Sequence, residues 1–263
     1  MHPYKPEISV MVTDIGNTKT SCALYKADNK LWQIRIGTDP KTVPEDLFGQ
    51  IKDAIPDDIS IIQHVIIASV VPELTDVWIQ VLETKFHCEY LILDGKSRLG
   101  LRLPYTDPLA IGADLIANAF GAWKKYSRDL IILDLGTAST IQLVRADGFY
   151  EGVSIIPGMV TAAESLYSRT SRLKPIELSI PHKLLGTSTS EALLSGIVGS
   201  YCLMLDAFVQ RIKQDHTNTD QLLTVATGGL STMLAEAVYS IDIVDQDLTL
   251  EGLYLAYREI QGL

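Results

Sequence analysis

Apolar runs and amphipathic stretches alternate along the whole chain. In the first half, runs rich in β-branched and aromatic residues predict strands leading into Asp14 and at 21–25, 31–36, 60–71 and 90–94. Apolar positions at helical spacing predict helices at about 43–55, from Pro72 to about 87, and from Asp107-Pro108 to about 125. This alternation of strands and helices indicates a mixed α/β fold.

The second half repeats the same order of elements. Strands are predicted before Asp134, at 140–144, at 149–156 and in QLLTVATGG (221–229). A capping box at 188–191 opens a long apolar helical stripe that continues to Ile212. Since the 263 residues suit two domains and no long linker divides them, we predict packed domains over residues 1–125 and 126–263.

An Asp-Xaa-Gly turn closely followed by Thr occurs in both halves, as DIGNT at 14–18 and DLGTAST at 134–140. Glycine and small residues at such a turn let a phosphate approach free backbone N–H groups, and the Asp can orient a divalent metal or water beside it. A single copy is also an ordinary turn sequence. Two copies, each followed by a predicted hairpin, favour a duplicated nucleotide-binding fold.

Composition narrows the class of protein. The chain is 47% hydrophobic and 21% charged, which is typical of a soluble globular protein. A formal charge of −10 without a basic run argues against nucleic-acid binding. Three scattered cysteines without a Cys-Xaa-Xaa-Cys pair indicate a reducing compartment. We find no signal-peptide core in residues 1–9 and no run of roughly 18 apolar residues, so we expect a cytoplasmic protein that does not bind membranes.

The two turns, together with the third Gly-rich turn ATGG at 226–229, resemble the superfamily of actin, the heat-shock ATPases and the sugar kinases. Within that superfamily, nearly the whole chain is similar to the type III pantothenate kinases. The resemblance rests on DIGNT (14–18), ASVVPEL (68–74), YTDPLAIGAD (105–114), DLGTAST (134–140), GVSIIPG (152–158), GTSTSEALLSG (186–196) and ATGG. It implies two duplicated ribonuclease-H-like domains and an enzyme that phosphorylates pantothenate with ATP, the first step of coenzyme A biosynthesis.

The resemblance also implies a role for each matching residue. The residues expected to bind ATP are Asp14, Ile15, Gly16, Asn17, Thr18, Lys19, Thr20, Ser21, Thr137, Gly228 and Gly229. The residues expected to bind pantothenate are Tyr105, Gly112, Ala113, Asp114, Leu115 and Thr189. Asp14 would help to place Mg²⁺, Asp134 would bind K⁺ or ammonium, and Asp114 would act as the general base. A homodimer is implied as well.

Asp114 also has a physical case of its own. Phosphoryl transfer is loose, so one carboxylate that orients the acceptor hydroxyl and takes its proton late suffices for base catalysis. The sequence places Asp114 in the second turn of the helix opened by Asp107-Pro108, beside Leu115 and Ile116. The alternative is a carboxylate that faces water on an amphipathic helix.

The chain departs from the family pattern on the acceptor side. The family's Gly-Xaa-Asp-Arg is Gly112-Ala-Asp-Leu115 here, and leucine cannot replace a guanidinium. The Gly-Gly before Ile-Xaa-Pro-Gly is Gly152-Val153. Three interpretations remain open: a pantothenate kinase with a compensating cation such as Arg102, a kinase with another hydroxyl acceptor, and a catalytically weak, nucleotide-responsive regulator.

Two glycines one helical turn apart, Gly196 and Gly199, permit close approach of another helix. This approach could serve the implied homodimer or packing within one chain, and the sequence favours neither.

Overall fold

A computed structural model describes residues 8–56, 58–216 and 222–263. The chain divides into two compact units. The first unit extends to Lys124 and includes Leu248–Leu263, and the second is Lys125–Asp247. Two of the predictions reach beyond the described residues: the signal-peptide prediction involves residues 1–7, and the strand predicted at 221–229 begins on Gln221.

The first unit is built on a five-stranded sheet in the order β3-β2-β1-β4-β5. Its strands are β1 (Ser9–Ile15), β2 (Lys19–Lys26), β3 (Asn29–Gly37), β4 (His64–Ser69) and β5 (Glu89–Ile92). The first three strands are antiparallel neighbours, whereas β4 and β5 run parallel to β1. β1 and β4 are buried along nearly their whole length, which accounts for their continuous apolar runs.

Four α-helices pack in the described part of this unit. They are α1 (Pro44–Ala54), α2 (Pro72–Val81), α3 (Ala113–Tyr126) and, at the end of the chain, α8 (Leu248–Gln261). Helical structure after α2 continues as a π-helical segment, Leu82–Phe86, and ends at His87, which has a left-handed backbone. The core combines apolar side chains of β1, such as Met11, with Ile51 of α1 and Trp78 of α2.

The helix predicted from Asp107-Pro108 to 125 is interrupted. The Asp107 carboxylate accepts the Leu109 N–H at 3.0 Å and so caps a single 3₁₀ turn, Pro108–Ala110. Ile111 is then extended, with φ −91° and ψ 133°, and α3 begins only at Ala113. The prediction of one continuous helix is therefore wrong, and Asp114 lies in the first turn of α3 instead of the second turn.

The C-terminal helix belongs to the first unit, whereas the sequence predicted a domain over 126–263. Helix α8 contacts β1, β2 and β4, and its buried side chains include Leu253 and Tyr257. It also meets α3 backbone to backbone, since a Cβ on Gly252 would lie 2.1 Å from the Ala117 carbonyl oxygen. Such close packing between segments far apart in sequence leaves no local signal, so the boundary prediction missed it.

The second unit repeats the topology of the first. Its sheet has the order β10-β9-β6-β7-β8. The strands are β6 (Leu130–Leu135), β7 (Ala138–Val144), β8 (Tyr150–Pro157), β9 (Leu223–Thr227) and β10 (Ile243–Val244). β6, β7 and β8 are antiparallel neighbours, and β9 and β10 run parallel to β6 and β9. Both hairpins even carry a register shift at the same place, at Leu24/Tyr25 and at Leu143/Val144.

The helices of the second unit are α4 (Met159–Ser168), α5 (Thr189–Leu194), α6 (Ser200–Asp215) and α7 (Ser231–Leu234). A π-helical segment, Ser195–Gly199, joins α5 to α6. The resulting continuous helix, Thr189–Asp215, is long and apolar enough to cross a membrane by length and composition alone, which the sequence prediction had excluded. Its buried side, including Val198, Leu205 and Val209, lies in the core of this unit, as expected for the core helix of a globular protein.

Candidate active site

The first phosphate-type turn joins β1 to β2. Asp14 is half-buried at the end of β1, opposite Ser21 of β2 and Ala68 of β4. The Gly16 N–H donates to the Lys19 carbonyl at 3.1 Å, and the side chains from Asn17 to Lys19 are exposed. The turn therefore presents backbone and polar side chains to solvent at the carboxyl end of a parallel pair of strands, where ligands bind in such sheets.

The second turn, between β6 and β7, is one residue shorter than the first. The Gly136 N–H donates to the carbonyl of Ala138, two residues later, at 3.2 Å, whereas the Gly16 N–H in the first turn donates to the carbonyl of Lys19, three residues later. The threonine of the second turn, Thr137, is the residue directly after Gly136, and it is exposed. Asp134 is half-buried and lies opposite Thr140 of β7 and Thr227 of β9, in the place that Asp14 occupies in the first unit.

Two more glycine segments converge on this second turn. Gly228 has φ +87°, and a Cβ on it would lie 2.6 Å from an Asp134 carboxylate oxygen and 2.7 Å from the Leu135 nitrogen. Gly158 follows β8, and a Cβ there would lie 2.1 Å from the Gly136 carbonyl oxygen. Neither position has room for a side chain, so both glycines are required for these close backbone contacts. Gly229 is exposed, and a Cβ there would meet no described atom within 4 Å.

Two hydroxyl groups beside Asp134 lack a hydrogen-bond partner among the described residues. They are Thr140 Oγ1 and Thr227 Oγ1, and the two residues are 9% and 1% exposed. Residues paired across neighbouring strands share a face of the sheet, so both threonines lie on the same face as Asp134. A buried hydroxyl without a partner costs free energy, which makes these two oxygens available to a ligand.

The Asp114 carboxylate lies in the first turn of α3 and is half-buried. Burial raises its pKa above the ordinary aspartate value, although its Oδ1 accepts the Leu115 N–H at 2.8 Å, which acts in the opposite direction. Gly112 leaves room for this carboxylate, because a Cβ on Gly112 would lie 2.5 Å from Asp114 Oδ1. A raised pKa in a confined position is what a general base requires.

The remaining acceptor-side residues lie in different settings. Tyr105 is half-buried in the segment before the 3₁₀ turn, and Arg102 is exposed. Leu115 is only 7% exposed, so its apolar side chain is buried within the protein. Ala113 is likewise buried, at 7% exposure.

Thr189, in the second unit, is exposed at the first position of α5. The preceding Ser188 caps this helix by accepting the Glu191 N–H at 3.2 Å, as predicted. The Glu191 carboxylate instead accepts the Thr187 N–H at 2.7 Å, and this bond is the largest cause that lowers the Glu191 pKa to about 2.

Within each unit the structure brings several predicted residues together. In the second unit, Asp134, Thr137 and Gly228 meet at one strand end. Sequence reasoning did not single out Thr140, Thr227 or Thr161, whose hydroxyl donates to the Thr137 carbonyl at 2.7 Å. The two buried threonines lie on apolar strands, and only their register next to Asp134 would have identified them. Thr161 lies at a distance along the chain from the turn that it contacts.

The family model for type III pantothenate kinase matches residues 10–211. A type III pantothenate kinase of Syntrophus aciditrophicus is 34% identical over 255 residues, which cover 95% of this chain and 98% of that protein.

Among solved structures, a Baf family protein from Campylobacter jejuni has a TM-score of 0.60 at 20% identity and covers 96% of this chain and 100% of its own. A ROK family glucokinase from Streptomyces griseus, solved with glucose and AMPPNP, has a TM-score of 0.53 at 13% identity, with coverage of 95% and 99%. These likenesses confirm the predicted fold of two duplicated domains as in the sugar kinases.

Proposed function

Because this chain belongs to the type III pantothenate kinase family, we propose that it transfers the terminal phosphate of ATP to the primary hydroxyl of pantothenate. The product is 4′-phosphopantothenate, so the enzyme is a phosphotransferase with an alcohol acceptor that supplies the first step of coenzyme A biosynthesis. A new bond forms between the hydroxyl oxygen and the γ-phosphorus, the bond from that phosphorus to the bridging oxygen breaks, and ADP leaves.

The half-buried carboxylate of Asp114 is the observation that carries this proposal. It accepts the proton of the attacking hydroxyl as the new oxygen–phosphorus bond forms. Burial raises its pKa, and a base with a raised pKa takes the proton more readily late in a loose transition state. Its position in the first turn of α3, with Gly112 leaving room beside it, holds one carboxylate oxygen in a fixed place.

The residues proposed to bind ATP are Asp14 to Ser21 in the first unit and Thr137, Gly228 and Gly229 in the second unit. Two observations support this assignment: the exposed turn after β1, and the lack of side chains at the glycines. Mg²⁺ usually binds through one or two carboxylates plus substrate phosphates, and the half-buried Asp14 at a strand end fits that requirement. When bound, Mg²⁺ would neutralise charge that develops on the phosphates.

A monovalent cation at Asp134 fits the residues around it. K⁺ prefers oxygen ligands, and the buried hydroxyls of Thr140 and Thr227 lie on the same sheet face as the Asp134 carboxylate without a described partner. Bound there, the cation would add positive charge beside the second turn. Asp134 would hold it, and the two threonines would contribute oxygens that are otherwise unsatisfied among the described residues.

The residues proposed to bind pantothenate are Tyr105 and the segment 112–115 in the first unit and Thr189 in the second unit. Leu115 leaves this set without the family's arginine, and Arg102, which is exposed and lies three residues before Tyr105, is the cation that could replace it. The acidic acceptor would then bind with fewer charge-assisted hydrogen bonds, so we expect a weak affinity for pantothenate and an ordinary one for ATP.

We also propose a cytoplasmic homodimer. Gly199 packs against its own chain, because a Cβ there would lie 3.3 Å from Pro181 and 3.4 Å from Leu184. Gly196 is exposed, and a Cβ there would meet no described atom within 4 Å, while Leu203 on the same helix is 54% exposed. This open, partly apolar side of the helix is the surface that a second copy would cover.

The test is ATP consumption by the purified protein with and without pantothenate, with the phosphorylated product identified by mass spectrometry. We expect turnover that depends on pantothenate. Turnover only with another hydroxyl compound would favour a kinase with a different acceptor. ATP binding without turnover on any acceptor would favour a catalytically weak, nucleotide-responsive regulator.

A further inference from the structure

In both units, the residue after the second strand of the hairpin donates a hydrogen bond to the phosphate-type turn. In the first unit, β3 ends at Gly37, and the next residue, Thr38, donates its N–H to the Thr18 carbonyl at 3.1 Å. In the second unit, β8 ends at Pro157, and Gly158 donates its N–H to the Thr137 carbonyl at 3.0 Å. Each hairpin ladder thus extends one step beyond its strands and fixes the carbonyl of the turn threonine.

The second turn has an additional donor from a helix. Thr161, in the first turn of α4, donates its hydroxyl to the same Thr137 carbonyl at 2.7 Å. This carbonyl therefore accepts two hydrogen bonds, from Gly158 and from Thr161. In the first turn, the additional contact of Thr38 is different, since its hydroxyl lies 3.1 Å from the Thr20 hydroxyl.

A fixed carbonyl also fixes the N–H group of the following residue. The peptide unit is planar, and the described chain has no cis peptide bonds, so the Thr137 C=O and the Ala138 N–H point in opposite directions. Two hydrogen bonds hold the carbonyl toward β8 and α4, and the Ala138 N–H is thereby held toward the other side of the turn. Oriented backbone N–H groups of this kind bind phosphate oxygens.

We infer that Thr161 is a positioning residue for nucleotide binding. Its hydroxyl holds the peptide between Thr137 and Ala138 in the orientation that presents an N–H to a phosphate of ATP. Thr161 itself does not touch the nucleotide, and it acts through the turn. This inference rests on the proposed function for the identity of the ligand, but not on the identity of the acceptor.

The experiment compares three variants with the wild-type protein. Thr161→Val removes the hydroxyl and keeps the shape, while Thr161→Ser keeps the hydroxyl. Thr170→Val is the matched control, because the Thr170 hydroxyl also donates to a backbone carbonyl, that of Leu166 at 3.0 Å, in the segment after α4. The measurements are the Kd of a non-hydrolysable ATP analogue by calorimetry, the KM values for ATP and pantothenate, and the Tm.

We expect Thr161→Val to weaken analogue binding about two- to tenfold, the effect of one lost neutral hydrogen bond, and to raise the KM for ATP but not that for pantothenate. Thr161→Ser and Thr170→Val should bind the analogue like wild type. Unchanged analogue binding in Thr161→Val, or an equal loss in Thr170→Val, overturns the inference. If wild type binds the analogue but does not phosphorylate pantothenate, the proposed function fails, and the binding comparison still decides the role of Thr161.

Discussion

Replacing Gly112 by alanine should move the proposed catalytic carboxylate without unfolding the protein. A Cβ at this position lies 2.5 Å from Asp114 Oδ1, whereas ordinary contacts begin at 3.4 Å. The side chain of Asp114 must therefore shift by about 1 Å. A misplacement of that size at a reacting group costs up to about 10²-fold in rate, so we expect kcat to fall by about 10- to 100-fold.

The effect on stability should be small, which separates this change from a folding defect. The atom that must yield is the end of a side chain rather than the backbone. Gly112 precedes α3 and its carbonyl accepts the Ile116 N–H at 3.2 Å, so the alanine variant loses the preference for glycine over alanine at the N-cap of a helix. We expect the free energy of unfolding to change by about 1 kcal/mol or less.

The assay is pantothenate-dependent ATP consumption at saturating ATP, with thermal unfolding measured on the same samples. Gly49→Ala, in α1, is the matched control, since a Cβ there meets no described atom within 4 Å. We expect this control to keep full activity and to unfold at a slightly higher temperature, because alanine stabilises a helix relative to glycine. A Gly112→Ala variant with wild-type kcat would refute the role given to the Asp114 carboxylate.

Three further outcomes follow. Asp114→Asn should lower kcat at least about 10²-fold. Burial raises the pKa of Asp114, so the native state keeps a proton that the unfolded chain loses as the pH rises above the ordinary aspartate pKa. The free energy of unfolding therefore falls as the pH rises through that range. Since the Asn variant has no carboxylate to bury, it should have an equal or higher Tm at pH 7. If the cation binds at Asp134, the enzyme should be more active in K⁺ than in Na⁺, and the double variant Thr140→Val, Thr227→Val should lose this preference without a lower Tm. A double variant that keeps the preference would contradict the proposed cation site at Asp134. Leu115 is only 7% exposed, so Leu115→Arg buries a guanidinium and should lower the Tm. In the folded protein the KM for pantothenate should fall about ten- to a hundredfold, the size of a charge-assisted hydrogen bond, and a higher KM would show that the arginine does not reach the acceptor or that another cation already fills that place.

Local patterns in the sequence predicted most of the secondary structure. The helix at 43–55 and the start of the next one at Pro72 agree with α1 and α2, because a buried stripe and an N-terminal proline are both local signals. The strand predicted over 60–71 is shorter, at His64–Ser69, since the apolar run also covers a 3₁₀ turn. Apolar runs alone do not distinguish a strand from the turn that enters it.

The break before α3 was not predictable from periodicity. The segment 110–112 follows an Asp N-cap with Pro at the first helical position, and it precedes good helix formers, so the pattern predicts one helix. The extended backbone at Ile111 separates the 3₁₀ turn from α3 instead. This break places Asp114 at a helix start, where its carboxylate accepts a backbone N–H, a setting that the sequence alone did not indicate.

The duplicated sheets also show at which position the third Gly-rich turn differs from the first half. After β4 the Val70 N–H donates to the Ile15 carbonyl, and after β9 the Leu230 N–H donates to the Leu135 carbonyl, so both crossing strands end against the phosphate-type turn. In the second unit, Gly228 brings this backbone within contact of Asp134, where any side chain would collide. The corresponding residue of the first unit is Ser69, and α2 begins at Pro72, three residues later, just as α7 begins at Ser231, three residues after Gly228. The two halves therefore share the crossing strand and the helix that follows it, and they differ at one position, where the second unit has a glycine in contact with the aspartate and the first unit has a serine.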